Sequence, residues 1–193
     1  MSTSVLYMSM SLDGFITGPD DGPGQGLGRG GERLHDWLGS GEGPDDFRPQ
    51  GPSAQIFDEV LATGSVLTGR RTFELAGGWN GDHHAGVPIF VPTRGAPPDP
   101  PSARVHYVTD GVESAMHQAK RAAGDANVLV HGADLAQSCL RAGVLDELEI
   151  QLIPVLLGAG RPLFGELAEP ADLELTRLIE APGVTHLRFR IKS

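Results

Sequence analysis

The segment Asn127 to Phe164, NVLVHGADLAQSCLRAGVLDELEIQLIPVLLGAGRPLF, leaves few ways to fold. The apolar run Val128 to Val130 predicts a strand, and His131-Gly132-Ala133-Asp134 a turn. Leu135, Cys139 and Leu140 share one face of a predicted helix. The run Leu148 to Leu157 then predicts a strand that leaves through Gly158-Ala159-Gly160. A strand that stops at a glycine and opens a helix leaves free N–H groups at the sheet edge, an arrangement suited to phosphate. Nucleotide or dinucleotide binding is therefore the first functional expectation.

The remaining pattern extends the same architecture. Ser4 to Met10, Ser65 to Thr68, Val87 to Val91 and Val105 to Val108 read as strands. Helices are predicted at Glu32 to Leu38, with Leu34, Trp37 and Leu38 on one side, and at about Val112 to Ala123. A further helix carries Ile56, Phe57, Val60 and Leu61, with Ser53 as its expected N-cap. Leu173 to Ile179 and Val184 to Ile191 read as a hairpin, in which Leu187, Phe189 and Ile191 alternate with Arg188 and Arg190. Strands alternating with helices, closed by an antiparallel pair, predict a mixed three-layer α/β domain. One domain is expected over residues 1–193, with a Gly-rich insertion at about 18–52.

That insertion contains GPDDGPGQGLGRGG, where Gly26, Gly28 and Gly31 imitate a dinucleotide fingerprint. A true fingerprint follows a strand directly and opens a helix. Here a long loop intervenes, so the match is rejected, and SGEGPDDFRPQGP also reads as loop.

Composition closes off several function classes. With 39% hydrophobic residues the chain is an ordinary globule, and its net charge of −10 repels nucleic acid and anionic lipid. No apolar run approaches the roughly 20 residues that cross a bilayer. The opening MSTSVLYMSM lacks the features of a signal peptide, and a cytoplasmic location is expected. The single cysteine, Cys139, reads as a small core hydrophobe. Metal-ligand spacing is absent, and His83-His84 read as a loop tip.

Three blocks in register carry a family likeness: SMSLDGFITGPD (Ser9 to Asp20), VLTGRRTFE (Val66 to Glu74) and the run Val130 to Phe164. Together they resemble the bacterial dihydrofolate reductase-like proteins, the group that includes the C-terminal reductase domain of riboflavin biosynthesis. The resemblance implies a dihydrofolate reductase-like fold, with a mostly parallel central sheet and an antiparallel edge. It also implies NADPH as cofactor, a small pterin-, pyrimidine- or riboflavin-precursor-like heterocycle as substrate, and a homodimer. A non-catalytic dimeric nucleotide-binding protein of the same fold is the alternative.

Ligands of parallel α/β sheets bind beyond the carboxyl ends of the strands, readable here at Ser9 to Asp13, Thr68 to Thr72, Val91 to Arg94 and Val130 to Leu135. Gly69-Arg70-Arg71-Thr72 combines a close backbone approach, two cations and a hydroxyl, a set suited to pyrophosphate or a ribose 2′-phosphate. The resemblance assigns these four residues to the cofactor phosphates, Thr93 and Arg94 to the 2′-phosphate, and Gly132, Ala133, Asp134 and Leu135 to the pyrophosphate. Ser9 and Ile16 of the first block join the cofactor set. Ala133 departs from the family's usual glycine pair, and its methyl group restricts positive φ. The catalytic candidates are Asp36, as the carboxylate of the first helix, its neighbour His35 as an alternative proton donor, and Asp13 in SLDG. Asp13 also fits a turn residue bonding its own backbone, and Asp36 and His35 a solvated helix face. The loop-flanked position of Asp36 argues against dihydrofolate itself as the substrate.

Overall fold

The computed structural model describes residues 2–39, 48–95, 97, 99–165 and 170–192. Its strands are β1 (Ser4–Ser11), β2 (Ser65–Thr68), β3 (Ile89–Pro92), β4 (Val105–Val108), β5 (Val128–His131), β6 (Glu147–Ile153), β7 (Leu173–Ala181) and β8 (Val184–Ile191). The α-helices are α1 (Pro52–Leu61), α2 (Arg70–Leu75), α3 (Val112–Ala123) and α4 (Ala133–Arg141), joined by 3-10 turns at Gly31–Leu38 and Gly77–Gly81. All eight strands form one sheet in the order β4-β3-β2-β5-β1-β6-β8-β7. The pairings from β4 to β6 are parallel, and β8 pairs antiparallel with both β6 and β7.

The sheet is covered on both faces because its central strands alternate between two cores. Leu6, Leu67, Val128 and Val130 face α3 and α4, whose Met116, Ala119, Ala136 and Cys139 fill that side. Val5, Tyr7, Val66 and Leu129 face the opposite way and pack with Phe73 of α2. Cys139 is fully buried, and burial pushes its thiol up to about 12, as a core hydrophobe requires. This is the three-layer, mostly parallel arrangement with an antiparallel edge that the sequence predicts.

Local differences have physical causes. The predicted helix at Glu32 to Leu38 is a 3-10 helix, Gly31–Leu38, so successive residues step by about 120° rather than 100°. Leu34 and Trp37, three apart, then fall on one line over Ile153, Val155 and Val184. Ser53 is not an N-cap. Gly51 holds that position, Pro52 opens the helix, and the buried Ser53 hydroxyl lies 2.9 Å from His186 Nε2. β6 stops at Ile153 because Pro154 has no N–H for the ladder. Residues 40–47 of the second predicted loop lie outside the described residues.

On the polar face of β8, Arg190 is exposed but Arg188 does not face water. Arg188 binds Glu147 at 2.7 Å and Glu59 of α1 at 3.0 Å, with its side chain 15% exposed. Arg177 of β7 bridges Glu59 and Glu149, meeting Glu149 at 2.8 Å. Glu149 is fully buried, and burial raises its carboxyl above the usual range against the pull of Arg177. A charged layer thus separates α1 from this end of the sheet. Removing one member would strand a buried charge, the costly way to break such a set.

His186 borders this layer, edge-on to Trp37 with ring centroids 5.1 Å apart. Burial first, then Arg177, pushes its pKa down to about 4 from 6.5. The unfolded chain therefore binds a proton before the folded chain does, and stability declines as pH falls from about 6.5 to 4. The slope for a fully buried histidine approaches about 1.4 kcal/mol per pH unit within that window. Urea unfolding at pH 7 and pH 5 will show the loss, and His186→Gln, which cannot protonate, will make the difference between the two smaller.

Candidate active site

The carboxyl ends of β3, β2, β5 and β1 lie side by side, and the loops leaving them build one rim. A cavity of about 270 Å³ opens there between the β2–α2 and β5–α4 connections. Gly69, Arg70, Arg71 and Thr72 form one wall, Gly132, Ala133, Asp134 and Leu135 another, and Pro92, Val112, Ser138 and Arg161 complete it. Gly69 N–H donates to His131 O at 3.1 Å, which ties the two turns together. Gly132 has φ 97°, and a Cβ there would stand 2.4 Å from Thr72 Oγ1. Only glycine fits. Ala133 is the first residue of α4, outside the left-handed region, with its methyl group buried in the core. The single glycine supplies the backbone turn, so the departure at Ala133 leaves its geometry intact.

The charged side chains are held individually. Arg70 donates to Glu74 Oε1 at 2.7 Å, Thr93 Oγ1 at 3.0 Å and Gly95 O at 2.7 Å. Thr93 therefore reaches the rim through Arg70, whereas Arg94 is exposed and does not line the cavity. Arg71 donates to the Asp21 carboxylate at 2.9 Å, and Arg161 Nε lies 3.6 Å from the same oxygen. Arg161 Nε is buried without a hydrogen-bond partner, and Arg161 Nη1 stands 3.6 Å from Asp134. An orphaned cationic N–H beside the amino end of α4 and a glycine cradle fits a phosphate group. Arg161 was not among the sequence candidates. It follows β6, parallel to β1, so the strand-end rule applied to GAGRPLF would have found it.

The catalytic candidates are dispersed. Asp13 accepts from Ser11 Oγ at 2.6 Å, Leu157 N–H at 3.2 Å and Gly158 N–H at 2.7 Å. These bonds, the Ser11 hydroxyl foremost, hold its carboxyl below the usual range and pin the β1 exit to the loop after β6. Asp36 lines a separate cavity of about 210 Å³ with Arg33, Trp37, Ile153, Pro154, Pro182 and Gly183. Ser9 Oγ accepts from Trp37 Nε1 at 2.9 Å, and Ile16 packs into the core on the α3–α4 side.

His131 belongs to a cluster that the sequence concealed, its pKa pushed down to about 4 mainly by burial and less by His35. His35 is likewise held below its ordinary value by desolvation, opposed by Asp36. His131 stacks near Trp79 at 6.1 Å and lies 5.4 Å from His83, whose ring is 4.6 Å from Trp79. His83-His84 are therefore not a loop tip. His84 is buried against Thr63, with Nε2 3.2 Å from both its oxygens, and the two histidines meet Nδ1 to Nδ1 at 2.7 Å. Three segments far apart in the chain converge here, and no local pattern marks them. Among the described residues, no group of three or more His, Cys, Asp or Glu side chains could hold a metal, and no helix is long and apolar enough to cross a membrane.

The two turn positions separate by mutation. Gly132→Ala must displace Thr72 and strain the backbone, which lowers the thermal midpoint and weakens any anion bound in the cavity at least tenfold, a loss of about 1.4 kcal/mol or more. Ala133→Gly alters that affinity less than threefold while destabilising α4 by about 1 kcal/mol. Thermal melts and ligand titration of both variants provide the check.

Comparison with known proteins agrees with this fold. The family model of the RibD C-terminal domain matches residues 3–187. The uncharacterized protein YwjB of Bacillus subtilis is 29% identical over 181 residues, covering 89% of this chain and 88% of that protein. A putative riboflavin biosynthesis protein from Shewanella sp. PV-4 superposes with a TM-score of 0.74 at 20% identity, over 99% of both chains. A pyrimidine reductase-like protein from Corynebacterium diphtheriae gives 0.63 at 12% identity, over 100% of this chain and 92% of that one. RibD of Acinetobacter baumannii gives 0.63 at 16% identity, and there the match spans 59% of the longer protein. A dihydrofolate reductase-like sheet, its rim of strand-end loops and a family match running almost from end to end make this chain a member of the RibD C-terminal domain family.

Proposed function

We propose that the chain is an NADPH-dependent oxidoreductase that reduces a C=N or C=O bond in a small heterocycle of the pyrimidine or pterin class. The observation that carries the reading is the convergence of Gly69–Thr72, Gly132–Leu135 and Arg161 on one cavity at the carboxyl ends of β2 and β5. Gly132 and the α4 amino end suit the pyrophosphate, with Arg71 and Arg161 as its counter-charges. Arg70, steadied by Thr93, and the exposed Arg94 suit the 2′-phosphate. The bound nucleotide supplies a hydride. The relatives described as pyrimidine reductase-like and as riboflavin biosynthesis proteins support the substrate class.

We assign the heterocycle to His131 at the carboxyl end of β5 and its neighbour Trp79, with His35 near enough to influence His131. Burial lowers the pKa values of both imidazoles, and His131, at about 4, is neutral at pH 7 with one ring nitrogen bonded to the Tyr7 backbone and the other left for the heterocycle. Their role is to hold ring nitrogens or carbonyls and to orient the water that delivers the proton. Asp36 faces the second cavity and takes no part. We place the reaction in the cytoplasm.

Calorimetric titration tests the cofactor. NADPH is expected to bind at least tenfold more tightly than NADH, since charge-assisted bonds to the extra phosphate contribute about 1.5–3 kcal/mol each before desolvation. Equal affinity, or none for either, sinks the assignment, and binding without turnover on any heterocycle leaves a nucleotide-binding protein. In an NADPH oxidation assay, dihydrofolate is expected to turn over poorly, with Asp36→Asn nearly unchanged. Dihydrofolate reduction that collapses in Asp36→Asn would reverse the substrate choice.

The reading includes a homodimer. Edge strand β7 carries Leu173, Leu175 and Leu178 at 40%, 50% and 53% exposure, an apolar edge that a second copy can cover. Light scattering at micromolar concentration should give twice the chain's 20.4 kDa, and a mass near 20.4 kDa refutes the dimer.

A further inference from the structure

Two arginines of the proposed cofactor site are already paired with an anion of the protein itself. Asp21, from the Gly-rich segment, receives Arg71 Nε at 3.2 Å and Nη2 at 2.9 Å on one carboxylate oxygen, and Arg71 Nη2 also reaches its backbone carbonyl at 2.9 Å. The same oxygen lies 3.6 Å from Arg161 Nε, the donor left without a hydrogen-bond partner. The Asp21 side chain is only 16% exposed, less than either arginine it faces. Both arginines line the cavity.

The segment presenting Asp21 is a packed structure. Gly18 N–H donates to Leu27 O and Arg29 N–H to Pro19 O, each at 2.8 Å, while Gly22 and Gln25 exchange backbone bonds. A Cβ at Gly28 would stand 2.3 Å from Gly18 O, so its backbone strands touch directly. Asp20, the neighbouring acid, points away and pairs with the exposed Arg29. Asp21, by contrast, meets the two arginines that line the cavity.

We propose that Asp21 is an affinity-determining residue that competes with the cofactor's diphosphate for Arg71 and Arg161. Two anions cannot share one guanidinium pair without mutual repulsion, so diphosphate entry requires the Asp21–Arg71 bonds to break. Release of that bond leaves residues 18–31 held to α2 only by packing such as Gly26 against Leu75, which couples cofactor binding to loosening of this segment. The inference rests on the cofactor reading of this cavity, and its test separates the two.

NADPH and inorganic pyrophosphate are titrated into the wild-type protein, Asp21→Asn and the control Asp20→Asn. Asp21→Asn, nearly isosteric, is expected to bind both ligands about five- to fiftyfold more tightly, and Asp20→Asn to match the wild type. Hydrogen exchange in residues 18–31 should quicken when pyrophosphate binds the wild type, and should already be fast in free Asp21→Asn. Unchanged or weaker binding by Asp21→Asn overturns the competition, with weaker binding showing that Asp21 instead orients Arg71 onto the ligand. If pyrophosphate tightens while NADPH binds neither variant, the cofactor reading fails and the competition stands. Failure of both ligands to bind any variant refutes both.

Discussion

Strand β1 is hydrogen-bonded on both sides to parallel partners taken from one strand–helix–strand unit, β5 and β6, and the rest of the molecule is placed by that fact. The register is fixed at its start by Asp146, which accepts from Ser4 N–H and Ser4 Oγ at 2.8 Å each and from Lys120 Nζ at 2.6 Å. Those bonds hold the Asp146 carboxyl below its usual range despite partial burial. At the far end, Asp13 ties the β1 exit to the loop after β6. A strand clamped at both ends is a rigid floor, and the loops above it can differ without disturbing it.

What was legible in the sequence was what is local. Gly69-Arg70-Arg71-Thr72 and Gly132-Ala133-Asp134-Leu135 are contiguous, and their strand-to-helix context brings them to one rim whatever the rest of the chain does. Ser53 and Glu149 show the limit. A serine before an apolar run reads as a cap, yet its hydroxyl serves a histidine on a strand near the end of the chain. The run Leu148 to Leu157 reads as a strand, yet Glu149 within it is a buried charge balanced by Arg177, and Arg177 is shared with Glu59 of α1. The histidine–Trp79 cluster was invisible for the same reason, since its rings belong to segments that meet only after the sheet has formed.

Electrostatics in this protein are local rather than global. A net charge of −10 says nothing of the cavity, where Arg71 and Arg161 face Asp21 and Asp134 in near balance. The charged layer under α1 is also internally compensated, with Arg177, Arg188 and Arg190 against Glu59, Glu147 and Glu149.

The glycines of residues 18–31 carry a consequence of their own. Gly18, Gly28 and Gly31 are required by backbone lying on backbone, with Cβ positions 2.0, 2.3 and 2.8 Å from the opposing chain. Glycine gives up more conformational freedom on ordering than any other residue, so this segment is the most entropically opposed part of the molecule to hold in place. Leu27 is its one large apolar side chain, so its order rests mainly on backbone contact and polar bonds. Warming should therefore loosen it well before the sheet responds, giving the protein a local melting step that leaves the global fold standing.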